Sequence, residues 1–340
     1  MTSWKSQAIY FEAPRRISLR WENLPPLGDS EVCIETICSS VSSGTELLVY
    51  RGQFPDNLAV DETIPSLAGA FSYPLKYGYS AVGRVVQIGK AVDKEWQDRL
   101  VFAFHPHESY FYAQPQELFP VPADISPEEA VFLPNMETAV NLVMDAAPLI
   151  GERVAVFGQG VVGLLTTALL AYFPLAALIT FDLYEKRRQL SLQLGAHVSL
   201  KDPADMEETD RQRWLPQGAD VCIEASGSPA ALDQALALTG YSGRIIIASW
   251  YGKKPVQLDL GGRFHRSRIR LISSQVSSID PQWSGRWDKA RRFELVWEML
   301  KRVRPSRLIS HRLPFEQAED AYRLMDQTGE HTLQVVFTYT

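Results

Sequence analysis

The segment Arg153-Val-Ala-Val-Phe-Gly-Gln-Gly-Val-Val-Gly-Leu-Leu165 constrains this chain more than any other. A short apolar run meets Gly158-x-Gly160-x-x-Gly163, and an apolar stretch then continues through Ala171. The pattern predicts a buried strand, a tight turn and a helix. Gly158 permits the turn, Gly160 lets a diphosphate approach the backbone, and Gly163 lets the helix lie close on the strand. The backbone at Gln159, Val161 and Val162 then presents amides to the phosphates, with the helix dipole behind them. A second apolar run at 177–181 ends in Asp182. A carboxylate there can accept both ribose hydroxyls of NAD and repel a 2′-phosphate. Lys186, Arg187 and Arg188 follow and soften that preference. NAD(H) is expected over NADP(H).

A chain of 340 residues is long for one core and suggests two domains. Hydrophobic residues at 46% and charged residues at 22% describe a globular protein, and a net charge of -6 gives no electrostatic case for nucleic acid. The run Arg263-x-His265-Arg266-x-Arg268-x-Arg270 is the local exception. It reads as a solvated loop, or as a contact for an acidic group or the cofactor phosphates. The three cysteines lack C-x-x-C spacing and an even count, so no disulfide framework is implied, and Cys33 and Cys222 sit in apolar runs as core residues. Met1-Thr-Ser-Trp-Lys leads into a strand-like segment without an apolar leader pattern, and no run is long enough to span a bilayer. A cytoplasmic protein without membrane partners is expected.

Short β segments are predicted at 6–11, 17–21, 31–39, 80–88, 100–104 and 117–120, broken by Pro and Gly, as in a partly closed β barrel. The span 52–77, with prolines at 55, 65 and 74, reads as a long loop at a cleft mouth. Ser126-Pro-Glu-Glu129 reads as a helix start, and a second helix is expected at about 137–146. Strands at 154–157, 178–181, 198–200, 221–224, 244–249 and 270–274 then alternate with helices near 161–171, 185–194 and 229–239. That alternation predicts a doubly wound parallel sheet. Helices at 289–303 and 315–327 and a strand at 332–339 are expected to return to the β-rich domain. The dinucleotide domain, 126–279, is thus inserted in a β domain of residues 1–125 and 280–340.

Several segments in this order resemble the medium-chain dehydrogenase/reductase superfamily, to which the zinc alcohol dehydrogenases belong. They are Gly44-Thr45-Glu46-x-x-x-Tyr50-Arg51-Gly52, Gly78-Tyr-Ser-x-Val-Gly83-x-Val-Val86, Ser126-Pro-Glu-Glu-Ala130, Gly151 through Gly160, Leu194-Gly-Ala196 and Glu224-Ala-Ser-Gly227. The resemblance covers essentially the whole chain and implies a GroES-like β domain carrying the Rossmann insertion. It also implies that Thr45, Thr138, Ser226 and Arg187 contact the cofactor, Arg187 along the adenine face. The departures carry as much information. Where the zinc enzymes hold a catalytic Cys, this chain reads Ser42-Ser43; Gly-His-Glu becomes Gly78-Tyr79-Ser80; the third ligand falls near Pro134; the four-cysteine lobe after residue 90 is missing. Catalytic zinc needs about three N, O or S ligands around an open position, so no metal is expected. His105 and His107 would be the alternative pair. Within the superfamily, Val-Ser-x-Gly-Thr-Glu and Gly-Tyr-x-x-x-Gly-Arg-Val are similar to the branch containing bacteriochlorophyllide a dehydrogenase.

Without a metal, a hydrogen-bond donor must stabilise the reacting oxygen. Tyr79, His107, Ser42 and Ser43 are the candidates, with Glu137 weighed last because carboxylates at helix starts commonly cap. Aromatic residues at 73, 77, 79, 102, 104, 110, 111 and 112 suggest a bulky apolar substrate. The expected function is a zinc-independent oxidoreductase acting on an alcohol/carbonyl pair or an activated double bond. The competing class is a non-catalytic dinucleotide sensor, which an intact glycine turn alone does not exclude. A homodimer is expected, joined through the last sheet strand, 270–274.

Overall fold

A computed structural model describes residues 4–55, 65–67, 69 and 72–339. Much of the loop expected at 52–77 therefore lies outside the described residues. Along the chain come β1 (Lys5–Ala13), β2 (Arg16–Asn23), β3 (Val32–Val41), α1 (Thr45–Arg51), β4 (Leu75–Lys76), β5 (Ala81–Ile88), β6 (Leu100–Ala103), β7 (Tyr110–Ala113), β8 (Leu118–Pro120) and α2 (Pro127–Ala130). The middle of the chain holds α3 (Leu133–Ala146), β9 (Arg153–Phe157), α4 (Val161–Leu170), β10 (Ala177–Phe181), α5 (Glu185–Gln193), β11 (Val198–Leu200), α6 (Glu208–Trp214), β12 (Ala219–Glu224), α7 (Pro229–Leu238), β13 (Thr239–Ile247), β14 (Arg270–Ser273) and α8 (Lys289–Val303). The chain closes with β15 (Ile309–Pro314), α9 (Ala318–Gln327) and β16 (Gln334–Thr338).

These elements form two compact units, Met1–Pro134 with Arg304–Thr340, and Asn135–Val303. In the first, a mostly antiparallel sheet runs β15-β16-β3-β5-β6-β8, with β7 also on β3, and a small sheet runs β2-β1-β4. The long, irregular β3–β5 pairing organises it, its register shifting between Thr36 and Cys38. Val32, Ile34, Ala81, Val85, Val101 and Phe111 fill one core there. On α9 the buried residues Ala318, Ala321, Tyr322 and Met325 fall at helical spacing on one face. That stripe carries a phenol into the interior with three apolar side chains. The helix start read at Ser126 is present, with its hydroxyl accepting the Glu129 amide at 3.3 Å.

The second unit holds six parallel strands in the order β11-β10-β9-β12-β13-β14. This is a doubly wound arrangement whose strand order reverses beside β9. Val154, Ala155, Val156 and Phe157 are buried on both faces of the sheet, which explains their unbroken apolar run. The joints fall later than the sequence suggested. The helix at 289–303 counts with the second unit rather than returning to the β-rich one. Its buried stripe is Arg292, Val296, Leu300 and Val303. Arg292 donates to Glu137 Oε1 at 2.5 Å, to Asn141 Oδ1 at 2.7 Å and to the carbonyl of Val276 at 2.5 Å. A buried guanidinium needs such partners, and α3 and the segment after β14 supply them. Burial pushes the Glu137 carboxyl up, and Arg292 opposes that shift.

Candidate functional site

In the second unit, the turn after β9 is shaped by two close approaches. Gly158 has φ +88, and a Cβ there would lie 2.6 Å from the amide nitrogen of Ser226. At Gly163 a Cβ would lie 1.9 Å from the carbonyl oxygen of Gly158, so only glycine lets α4 start this close to its strand. Gly160 differs: a Cβ there would meet nothing within 4 Å. The space above it is what a diphosphate needs. The first intrahelical bond of α4 runs from the Leu164 amide to Gly160 O at 2.9 Å, so Val161, Val162 and Gly163 occupy the amide positions that a helix start leaves to other partners. Gln159, fully buried, braces the turn by donating to Gly158 O at 3.1 Å and accepting from Thr167 Oγ1 at 3.0 Å.

Asp182 stands at the end of β10 beside this turn. One carboxylate oxygen accepts the Gln159 amide at 2.7 Å and the other the Tyr184 amide at 2.8 Å. Arg187 approaches to 4.0 Å and lies over the Tyr184 ring, its guanidinium carbon 4.8 Å from the centroid. Arg188 turns back onto the carbonyls of Asp182 and Leu183, both at 2.9 Å, so it is engaged with its own loop. After β12, buried Glu224 gathers the amides of Ser226 at 2.7 Å and Gly227 at 3.0 Å and, at 2.8 Å, the hydroxyl of Tyr251. The sequence marked Ser226 but missed its anchor, although Glu224 opens the Glu-Ala-Ser-Gly segment. The residues fit a dinucleotide: a glycine turn with open space, a helix start and a carboxylate converge at the point where the strand order reverses. Thr138 is half-buried on α3. In the Arg-rich run, Arg263 donates to Thr239 O at 3.0 and 2.8 Å, closing the end of α7.

In the first unit, Ser42, Ser43 and Thr45 lie half-buried in the turn that opens α1. Ser42 Oγ accepts the Thr45 amide at 3.4 Å. Tyr79 is half-buried, edge-on to Tyr77 with ring centroids 6.3 Å apart. Ser80 faces inward and donates to the Val131 carbonyl at 2.7 Å. His107 is placed differently from a proton shuttle at a substrate. It has 0% exposed surface, with Nε2 3.0 Å from Glu46 and Nδ1 2.7 Å from Ser39. Its ring packs so tightly on Gly78 that a Cβ there would lie 2.6 Å from Cδ2. His105 stacks on Phe111 at 3.8 Å, and burial lowers its pKa to about 3. Of the aromatic residues noted above, Tyr77, Phe102 and Phe111 are core, whereas Tyr79, Phe104, Tyr110 and Tyr112 keep exposed surface. Burial holds all three thiols up, each at about 12, as expected of inert core cysteines.

Sheet order, glycine turn and acidic strand end together define an α/β protein of the dinucleotide-binding class. A family model described as zinc-binding dehydrogenase matches residues 161–293. The chain is 26% identical over 263 residues to (R,R)-butanediol dehydrogenase of Bacillus subtilis (strain 168), spanning 69% of this chain and 73% of that protein. A short chain alcohol dehydrogenase from Escherichia coli CFT073, solved with NADH, shares the fold at TM-score 0.78 and 17% identity, over 98% of this chain and 99% of that one. A zinc-binding dehydrogenase from Sinorhizobium meliloti 1021, bound to NADP, does so at 0.77 and 19%, over 98% and 99%. The family match, this relative and the shared folds are all those of dehydrogenases, as the resemblance to the medium-chain dehydrogenase/reductase superfamily implies.

The two glycines separate fold from binding. Gly163→Ala forces α4 off the strand and is expected to cost about 1–3 kcal/mol of stability together with NADH affinity. Gly160→Ala is expected to melt like the parent yet bind NADH at least roughly tenfold more weakly, about 1.4 kcal/mol. Calorimetric titration beside thermal melting checks both. Parental NADH affinity in Gly160→Ala would contradict the assignment.

Proposed function

We propose that the protein is a zinc-independent, NAD(H)-preferring oxidoreductase that moves hydride to or from an alcohol/carbonyl pair, or an activated double bond, of a bulky apolar substrate. The observation that carries the reading is the pairing of a complete dinucleotide turn with Ser42, Ser43, Tyr79 and Pro134 where the zinc enzymes of the superfamily hold metal ligands. These residues offer no imidazole or thiolate and do not fit a zinc ion. Among the described residues, no group of three His, Cys, Asp or Glu is arranged to hold a metal ion.

When bound, the nicotinamide supplies the carbon that gives or takes the hydride. The chain's own residues bind, orient and protonate. The Gly158–Gly163 turn and the start of α4 would hold the diphosphate, with Asp182 on the adenosine ribose, Arg187 along the adenine and Ser226 beside the turn. Thr45 and Thr138 would border the nicotinamide end. Tyr79 is the first candidate to donate a hydrogen bond to the substrate oxygen, and Ser42 and Ser43 orient it. His107, enclosed on all sides, acts from behind this surface rather than on the substrate. The half-buried Tyr79, Phe104, Tyr110 and Tyr112 support a conjugated or apolar substrate. β14 is an edge strand of the parallel sheet and suits the pairing of two copies about a two-fold axis. A cytoplasmic location is part of this proposal. Among the described residues no helix is long and apolar enough to cross a membrane.

Nicotinamide absorbance, followed while aldehydes, quinones and tetrapyrroles are offered in turn, tests the activity. Cofactor binding with no turnover on any class would replace the enzyme by a dinucleotide sensor. Elemental analysis of protein purified without added metal is expected to find no stoichiometric zinc, and chelator is expected to leave turnover unchanged; one tightly held zinc per chain would contradict the metal-free reading. Tyr79→Phe is expected to lower kcat on the order of 10²–10³ with NADH affinity retained, the loss typical of one donor that acts only in the transition state. Parental turnover in that variant would move the donor to Ser42, Ser43 or water.

A further inference from the structure

The β-rich unit buries a carboxylate that the proposed chemistry does not use. Glu46, in the first turn of α1, has 0% exposed surface. Its Oε2 lies 3.0 Å from His107 Nε2 and also accepts the Tyr322 hydroxyl from α9. His107 Nδ1 lies 2.7 Å from Ser39 Oγ on β3, and that hydroxyl lies 2.8 Å from Tyr339 OH. Burial and the Glu46 charge push the Tyr322 phenol well above its ordinary pKa, so it remains a donor. The order carboxylate, imidazole, hydroxyl matches that of a nucleophilic triad. Ser39 and His107 are both at 0% exposure, so no substrate reaches them and nucleophilic chemistry does not follow.

The cluster reaches the turn before α1 through Ser42. The free oxygen of the carboxylate, Oε1, accepts the Ser42 amide at 2.8 Å, and the Glu46 amide donates to the Ser42 carbonyl at 2.9 Å. Both backbone groups of Ser42 are therefore held by one residue. Gly44, the N-cap of α1, brings no side-chain cap of its own, so the turn leans on Glu46 instead. The carboxylate is in turn fixed from the far side by His107 and Tyr322, contributed by a loop and a helix distant in sequence.

We propose that Glu46 is a positioning residue, braced by His107 and Tyr322, that fixes the turn Ser42–Thr45 and so the orientation of the hydroxyls of Ser42, Ser43 and Thr45. The proposal rests on the reading that these hydroxyls face the substrate and the nicotinamide. It also gives His107 a role through Glu46 in place of proton donation.

Amide hydrogen exchange of the full chain reads the turn without any substrate. In Glu46→Ala, exchange across 42–45 is expected to rise at least tenfold while the β9–α4 segment keeps its parental rates. Glu46→Gln retains an oxygen for the Ser42 amide and is expected to restore most of the protection. Tyr322→Phe removes one brace at nearly constant volume and is expected to raise exchange about threefold, which keeps the test alive if Glu46→Ala does not fold. With a substrate from the panel above, kcat of Tyr322→Phe and Glu46→Ala should fall severalfold or more while the substrate KM changes less than twofold. Parental exchange at 42–45 in Tyr322→Phe and in any folded Glu46→Ala would overturn the proposal. So would a uniform rise across β3, β5 and α1, which marks simple core loss. If the panel yields no turnover, the exchange result still decides the role of Glu46, and only the oxidoreductase reading fails.

Discussion

The approach of α4 to its own strand sets the geometry of the dinucleotide unit. A side chain at Gly163 would have to pass within 1.9 Å of the Gly158 carbonyl. Because it carries none, the helix begins directly over the end of β9, and its amide-rich start faces the open space at Gly160. Gln159 and Asp182 then lock the turn from two sides, one through Gly158 O and Thr167 and the other through the Gln159 amide. The remaining proposed cofactor contacts depend on that placement. Ser226 is held against Gly158 by Glu224, and Arg187 follows Asp182 on the next helix. Close packing, backbone donors and one carboxylate would together specify the proposed phosphate and ribose site.

The β-rich unit solves a different problem. On the metal-free reading proposed above, its candidate reactive turn must be organised by the chain itself, and hydroxyl groups on a turn lose their directional value if the turn moves. A buried carboxylate whose oxygens are satisfied by donors is a stiff object, because moving it would strand a charge away from water. Glu46 provides such a point in the first turn of α1. Its braces come from the segment before β7 and from α9, with Ser39 of β3 behind His107, so the stiffness of the unit is passed to four residues at its surface.

Much of this was legible in the sequence, and the reasons for the rest are physical. The glycine turn, Asp182 and the parallel strands were legible because each is local: the spacing, the apolar run and the acidic strand end all sit within a few residues. The Glu46 cluster was not. His107 lies 61 residues from Glu46, and Tyr322 lies 276 residues away, so nothing in the local pattern joins them. Only the Gly-Thr-Glu segment signalled that residue 46 mattered. His107 was visible as an imidazole, but its chemistry depends on burial that the sequence does not display. Arg292 is hidden in a similar way. In a run as polar as Lys289-Ala-Arg-Arg-Phe-Glu294 it reads as surface, yet it is fully buried against α3, and it draws α8 into the dinucleotide unit. The strands β7 and β15 escaped notice because β7 is only four residues long and β15, half-buried, carries Ser310, His311 and Arg312.

The central claim is that the carboxylate of Asp182 and the turn beside it form a working dinucleotide site that favours an unphosphorylated ribose. Calorimetric titration of the wild-type chain and of Asp182→Ala with NADH and NADPH addresses it directly. The account predicts that the wild type binds NADH more tightly than NADPH, by roughly tenfold or more, about 1.4 kcal/mol. Asp182→Ala is predicted to narrow the gap, because the ribose hydrogen bonds and the repulsion of a 2′-phosphate are lost together. Tighter binding of NADPH by the wild type, or no binding of either nucleotide, would contradict it.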